Sequence, residues 1–168
     1  MSTGSTNALI GLGANLGDAR GTIIQAVAAI ARFEATTFVA CSSHYSTAPL
    51  GYEDQPPFVN AVAKFATFLA PHVLLDNLQE LERQYGRQRS FPNAPRTLDL
   101  DLLLYGSTVL SSPTLTLPHP RMCERAFVLI PLVEICPSIE IPGRGRASEH
   151  LAQVVRQHVV RLAERDES

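Results

Sequence analysis

The chain has 168 residues, 45% apolar and 18% charged, with a formal net charge of −2; that suffices for one well-buried domain and falls short of two, so residues 1–168 are expected to form a single unit. A near-neutral balance without long basic runs argues against nucleic acid or a membrane surface as the main partner and leaves a small molecule. Cys41, Cys123 and Cys136 lack CxxC spacing, and there is neither a signal-peptide pattern nor an apolar run of bilayer-spanning length, so a soluble, cytoplasmic protein with reduced thiols is predicted.

In chain order, Met1 to Thr6 is small and polar and is expected to fray. Ala8 to Leu12 reads as a strand entering a glycine-rich turn from Gly11 to Gly17. Asp18 then caps a helix whose apolar face is Ile23, Val27 and Ile30. Thr36 to Ser46 is β-branched and aromatic enough for a second strand, and Thr47 to Pro57 is rich in turn residues. Phe58 to Phe65 is a third strand. Pro71 opens a second helix with the stripe Leu74, Leu78, Leu81 and Tyr85, and Gly86 is suited to ending it.

The loop Arg87 to Pro95 leads into Arg96-Thr97-Leu98-Asp99-Leu100-Asp101-Leu102-Leu103-Leu104, a strand in which alternate side chains share a face. Beyond Gly106 come a short strand near Thr108 to Leu110, a proline-rich turn at Pro118 to Pro120 and a helix from about Glu124 to Ile135. Arg144 onward reads as a loop and a terminal helix with a charged outer face, in which Gly143-Arg144-Gly145-Arg146 is most simply an exposed turn. The order β-α-β-β-α-β predicts an α+β fold, a ferredoxin-like sandwich with a mostly antiparallel sheet and flanking helices.

Asp99 and Asp101 carry the chemistry. Their Cα atoms are expected roughly 6.5–7 Å apart on one face, close enough to ligate one hard cation or two, while Leu98, Leu100 and Leu102 fill the core. Two carboxylates in a half-buried strand repel each other unless a cation, an Arg or a proton compensates, although an edge strand or a solvated strand end also tolerates them. Arg83, Arg87, Arg89 and Arg96 lie near the pair in sequence, with Arg121 and Arg125 after His119. Such clusters are commonly solvated surface; beside a divalent-cation site they are what a transferring phosphoryl group requires. The Arg87 to Pro95 loop, polar and without apolar periodicity, suits a mobile cover. His119 and Cys123, four apart, form no tetrahedral set, for want of a second pair. On the third strand Phe58, Asn60 and Val62 share a face, so an aromatic surface and an amide stand together, as a heteroaromatic lactam requires, or as any strand with one solvated Asn presents. The spacing G-x-G-x-x-x-G misses the dinucleotide fingerprint, and there is no P-loop.

Six blocks in order resemble the 6-hydroxymethyl-7,8-dihydropterin pyrophosphokinase family: Gly13-Ala14-Asn15-Leu16-Gly17, Tyr45 to Gly51, Asp54-Gln55-Pro56 with Phe58-Val59-Asn60-Ala61, Gly86-Arg87-Gln88-Arg89, Ala94 to Asp101, and Pro118-His119-Pro120-Arg121-Met122. The resemblance implies transfer of diphosphate from ATP to the hydroxymethyl group of the pterin, with release of AMP, a step of folate biosynthesis. It implies that Asp99 and Asp101 hold two Mg²⁺ ions with ATP, and that Thr47, Ala48, Leu50 and Asn60 bind the pterin edge while Phe58 and Phe127 sandwich its ring. Gln79, Glu82, Arg89, Leu102, Thr116, His119 and Arg125 fall on the ATP side, and Arg87 and Arg96 are loop arginines that favour the transition state. Many members carry Trp-Gly just before Pro-Arg, where this chain has Asn93-Ala94, so an aromatic contact from that loop would have to come from Phe91. A monomer is expected. Two rivals share parts of the pattern: a palm-type nucleotidyltransferase, which would release pyrophosphate, and a ligand-binding regulatory domain, which would not turn over.

Overall fold

The computed structural model of the chain describes residues 4–47, 57–86 and 98–164. The sheet begins with β1 (Thr6–Ala14), which extends past the predicted strand at both ends. Gly11 and Gly13 therefore lie inside the strand, and of the glycines in that stretch only Gly17 takes a positive φ, 57°. Asp18 caps α1 (Ala19–Ile30) by accepting a hydrogen bond from Gly21 N at 3.1 Å, satisfying one of the orphan donors of the first turn.

The second predicted strand is in fact two, β2 (Thr36–Cys41) and β3 (Tyr45–Thr47). The cause is a contact with β4: Ser42 turns its hydroxyl inward to accept from Val62 N at 3.0 Å, and the pairing shifts by one residue between Cys41↔Ala63 and Tyr45↔Asn60. Both halves pair antiparallel with β4 (Phe58–Thr67). Pro71 begins α2 (Pro71–Gly86), in which Leu74, Leu78 and Leu81 of the predicted stripe are buried and Tyr85 is partly buried. The Asp strand is β5 (Asp99–Tyr105).

Next come β6 (Leu110–Ser111) and β7 (Thr116–Leu117), a small hairpin whose second strand the sequence pattern does not signal, and a cis Leu117–Pro118 peptide. A single 3₁₀ turn, Met122–Glu124, precedes α3 (Ala126–Ile135), so the predicted helix starts two residues later than expected. The C-terminal part differs most from expectation. After β8 (Glu140–Ile141) and β9 (Gly145–Arg146), the terminal helix is one turn, α4 (Leu151–Val154), and it is followed by a strand, β10 (Val159–Arg161), paired with β3. Val159, Val160 and Arg161 find backbone partners on an open sheet edge, a gain that local periodicity does not register.

The strand order is β10-β3-β4-β1-β5, with β2 also on β4, and every pairing is antiparallel; this is a ferredoxin-like sheet with an added edge strand. Period-two alternation divides it into two faces. Ala8, Ile10 and Leu12 of β1, Ala61, Ala63 and Phe65 of β4, and Leu98, Leu100 and Leu102 pack with Ile23 and Ile30 of α1 and Leu74 and Leu78 of α2. On the other face Leu9, Val62, Leu103 and Leu104 pack beneath Val128, Leu129 and Leu132 of α3. A bulge in β5 lets Leu103 and Leu104 both face α3, because Ile10 pairs with Leu102 and Leu9 with Leu104. Among the described residues, no helix is long and apolar enough to cross a membrane.

Candidate active site

Where α3 stops covering its face of the sheet, the strands present a row of polar and small residues. Gly13 of the central strand pairs with Asn60 on one side and Asp99 on the other, and Gly11 pairs with Val62 and Asp101. The two glycines make a low floor between the amide and the carboxylates: a Cβ on Gly13 would lie 2.9 Å from Asn60 Oδ1. The sequence reading takes these glycines for turn residues; their alternation within a strand, at the parity of the Asp pair, is the signal that marks them as floor.

Asp99 and Asp101 are half-buried on this face while Leu98, Leu100 and Leu102 are buried beneath the opposite one, as the alternation predicts. Asp101 faces two basic side chains, with Oδ1 4.0 Å from His119 Nε2 and Oδ2 4.0 Å from Arg125 Nη1. Those separations are too long for hydrogen bonds, so the groups act on one another through their fields. Burial pushes the His119 pKa below its ordinary value; Asp101 pulls it upward, but Arg125, Arg144 and Arg121 add repulsion. The shift favours the uncharged imidazole, which suits a hydrogen-bonding group. Its Nδ1 accepts from Arg121 N at 3.2 Å, which leaves Nε2 as the N–H donor facing Asp101.

On the other side of the glycine floor, Asn60 is 7% exposed and donates from Nδ2 to Thr47 Oγ1 at 3.2 Å, while Phe58 pairs with Thr47 one step along. Asn15, two residues beyond Gly13, is 4% exposed, and its Oδ1 is a buried acceptor with no hydrogen-bond partner among the described residues. Such an atom is costly unless a ligand supplies a donor, which makes Asn15 a site candidate that sequence reasoning misses. Phe127 stands in the first turn of α3, its ring centroid 5.6 Å from the Arg125 guanidinium.

Other sequence candidates take plainer places. Glu82 accepts from Leu100 N at 2.8 Å, holding α2 to the edge strand between the two aspartates. Leu102 is 3% exposed in the core under α1 and α2, so any ligand contact it makes is through its backbone. Thr116 and Gln79 are exposed on β7 and α2. Arg83 belongs to the helix surface and not to the site: it forms an ion pair with Glu80 at 2.7 Å. Cys123 joins no metal set with His119; among the described residues no group of three His, Cys, Asp or Glu forms. Ala48, Leu50, Arg87, Arg89 and Arg96, with Phe91 and the rest of the expected cover loop, lie outside the described residues.

Two hard carboxylates side by side at a sheet edge, with no third protein ligand among the described residues, fit a cation such as Mg²⁺ that keeps most of its coordination for water and phosphate.

Comparison with known proteins agrees with this arrangement. The family model for 7,8-dihydro-6-hydroxymethylpterin-pyrophosphokinase matches residues 9–137. A protein of Pseudomonas aeruginosa named 2-amino-4-hydroxy-6-hydroxymethyldihydropteridine pyrophosphokinase is 44% identical over 91% of this chain and 94% of its own length. Proteins with the same name from Haemophilus influenzae and Bacillus subtilis are 41% and 45% identical, over 92% and 79% of this chain and 97% and 80% of theirs. Among solved structures, a Plasmodium falciparum HPPK-DHPS chain superposes with a TM-score of 0.70 over 92% of this chain; at 12% identity the likeness concerns the fold alone, and this chain spans 44% of that longer one. Since the sequence blocks, the sheet that carries them and the match over most of the length concur, the chain belongs to the 7,8-dihydro-6-hydroxymethylpterin-pyrophosphokinase family.

Proposed function

We propose that this chain transfers diphosphate from ATP to the hydroxymethyl group of 6-hydroxymethyl-7,8-dihydropterin, giving AMP and the pterin diphosphate, at the face bounded by Asn60, Gly13, Asp99 and Asp101. The observation that carries this reading is the cross-strand row Asn60-Gly13-Asp99, which sets an amide two strands away from the first of the two carboxylates with only glycine between, while Asp101 lies beyond Gly11 in the next row on the same face. That spacing suits a flat heterocycle on one side and a phosphate chain on the other.

The pterin lies toward Asn60 and Thr47, where the amide offers the complementary donor and acceptor for a lactam edge, and Phe58 and Phe127 offer ring faces. Asn15 Oδ1 is a further acceptor for a ring amino group. ATP lies toward Asp101, His119 and Arg125. Asp99 and Asp101 would hold two Mg²⁺ ions, which when bound neutralise phosphate oxygens. Arg125 adds a fixed positive charge at the same place, and His119, whose Nδ1 is taken up by Arg121 N, offers an N–H donor at Nε2. The attacking group is the substrate hydroxyl, the bond broken joins the α and β phosphates of ATP, and AMP leaves in line with the incoming oxygen. The described side chains include no evident general base, so positioning and charge neutralisation supply most of the rate. Arg87 and Arg96 complete the cationic wall in this reading, and Gln79, Glu82, Arg89, Leu102 and Thr116 line the nucleotide side. The chain acts as a cytoplasmic monomer with no nucleic-acid or membrane partner.

The test is incubation of the purified chain with Mg-ATP and the pterin, with and without EDTA, followed by chromatography of the nucleotides. AMP that requires both pterin and metal is the expected result. ADP or pyrophosphate as product, or binding without turnover, would overturn it.

A further inference from the structure

The segment after residue 137 lies beyond the family match, and it holds the part of the site that faces the phosphates. Between the cis Leu117–Pro118 peptide and α3, His119 N donates to Leu103 O at 2.9 Å and Glu124 N to Arg121 O at 3.0 Å, while the bonds on either side of the turn are longer, Met122 N to His119 O at 3.3 Å and Arg125 N to Met122 O at 3.5 Å. Two side chains from the C-terminal segment add further bonds at both ends of this turn. Arg144 Nη1 donates to His119 O at 3.2 Å and Pro120 O at 3.4 Å, with Cys123 Sγ at 3.8 Å. Gln157 Nε2 donates to Glu124 O at 2.7 Å while its Oε1 accepts from Ala126 N at 2.9 Å. One clamp thus lies at each end of the 3₁₀ turn.

Arg144 is itself held in place. Gly143 and Gly145 take φ values of 76° and 83°, Arg144 N donates to Ile141 O at 2.8 Å, and the His150 ring nitrogen meets Arg144 O at 2.8 Å. The Gly-Arg-Gly-Arg stretch, an exposed turn on sequence grounds, is therefore a tight hairpin that aims one guanidinium inward.

We propose that Arg144 and Gln157 are positioning residues for the nucleotide side of the site: they set the 3₁₀ turn so that His119 and Arg125 stand opposite Asp101. This rests on the assignment of that side to ATP. Neither side chain hydrogen-bonds Asn60 or Thr47, which keep their own bond to each other; Gln157 caps the turn beside Phe127, so Arg144 gives the cleaner separation of the two sides. Truncation would blur this distinction, because β10 pairs Val159 with Thr47; single substitutions keep the two sides separate.

The experiment compares wild type with Arg144→Met, Arg144→Lys and Gln157→Met. Calorimetric titration with Mg and an α,β-methylene ATP analogue measures nucleotide affinity, and steady-state AMP formation gives KM for ATP, KM for pterin and kcat. Gln157 is exposed, so its replacement leaves the core untouched. Each Met variant is expected to bind the analogue about tenfold more weakly and to raise KM for ATP by a similar factor, with KM for pterin within about twofold of wild type. Arg144→Lys, which retains a donor for the His119 carbonyl, recovers most of the affinity. Unchanged analogue affinity, an equal loss for both substrates, or a Lys variant no better than Met would overturn the proposal. A wild type that fails to bind the analogue would instead remove the ATP assignment, and the proposal with it.

Discussion

Gly13 lies where a side chain would disturb both halves of the site. Its backbone φ is not in the left-handed region, so alanine is conformationally permitted there, but the new Cβ would meet Asn60 Oδ1 at 2.9 Å. Asn60 must then turn, giving up its bond to Thr47, a loss of about 1 kcal/mol. Gly13→Ala is expected to raise KM for pterin by about five- to tenfold and lower Tm by about 3 °C, and a variant with normal pterin KM would separate Asn60 from the ring. Asp101 is the complementary case. With basic groups 4.0 Å from each of its oxygens, its charge is matched to the site and not to the core. Asp99→Asn or Asp101→Asn should lower turnover by about two orders of magnitude or more with an unchanged circular dichroism spectrum; near-normal AMP formation in either would remove the carboxylates from the chemistry.

At the scale of elements, β5 is an edge strand that must hold two carboxylates in place. One side of it pairs with β1, and on the other Glu82 of α2 takes the Leu100 N–H at 2.8 Å. A half-buried carboxylate accepting a backbone donor contributes about 1–2 kcal/mol. Glu82→Ala is expected to cost about that much in chemical denaturation and to reduce kcat, since the amide it anchors lies between the aspartates. Glu82→Gln keeps an acceptor oxygen and should retain most of both; if it proves as damaging as alanine, the charge of Glu82 matters more than the hydrogen bond. Much of this element scale is legible in the sequence. The stripe of α2, the Asp18 cap and the alternation of β5 are local patterns, because helix and strand periods write themselves into neighbouring residues. The break at Ser42 and the strand at Val159 are not local: the first depends on Val62 N, and the second on an open edge of β3.

Across the whole molecule, Glu134 ties α3 to β3 and β10. It accepts from Tyr45 Oη at 2.6 Å and from Ser43 N and Oγ at 3.0 and 2.8 Å, with Arg161 at 3.8 Å. Burial alone would raise its pKa, but the hydrogen bonds from Tyr45 and Ser43, with Arg161, outweigh this and hold it below the ordinary value of 4.5. Burial, with the bond to Glu134, pushes Tyr45 up to about 12, so it remains a donor. A depressed carboxylate stabilises the fold fully above its unfolded pKa, and that contribution disappears as pH falls through the lower folded value. Tm measured from pH 7 to 3 should therefore fall more steeply below about pH 4.5 for wild type than for Glu134→Gln. Parallel curves would show that the network is insensitive to the charge on Glu134.

By itself the sequence determined α1, α2 and most of α3, the chain order of the strands and helices up to β5, and the shared face of Asp99 and Asp101, because each follows from periodicity over a few residues; the expected terminal helix is one turn only. It also carried the family, in blocks whose residue types and order are specific. Only the tertiary structure decided that Gly11 and Gly13 are a floor and not a turn, that Arg83 leaves the site for Glu80, that Glu82 braces β5, and that the C-terminal segment turns Arg144 and Gln157 back onto the backbone of His119 and Arg125. Except for the Arg83–Glu80 pair, three residues apart on α2, those facts depend on residues far apart in sequence. Their contacts form when hydrophobic burial packs the two faces of the sheet, and local pattern holds no record of which distant partner will arrive.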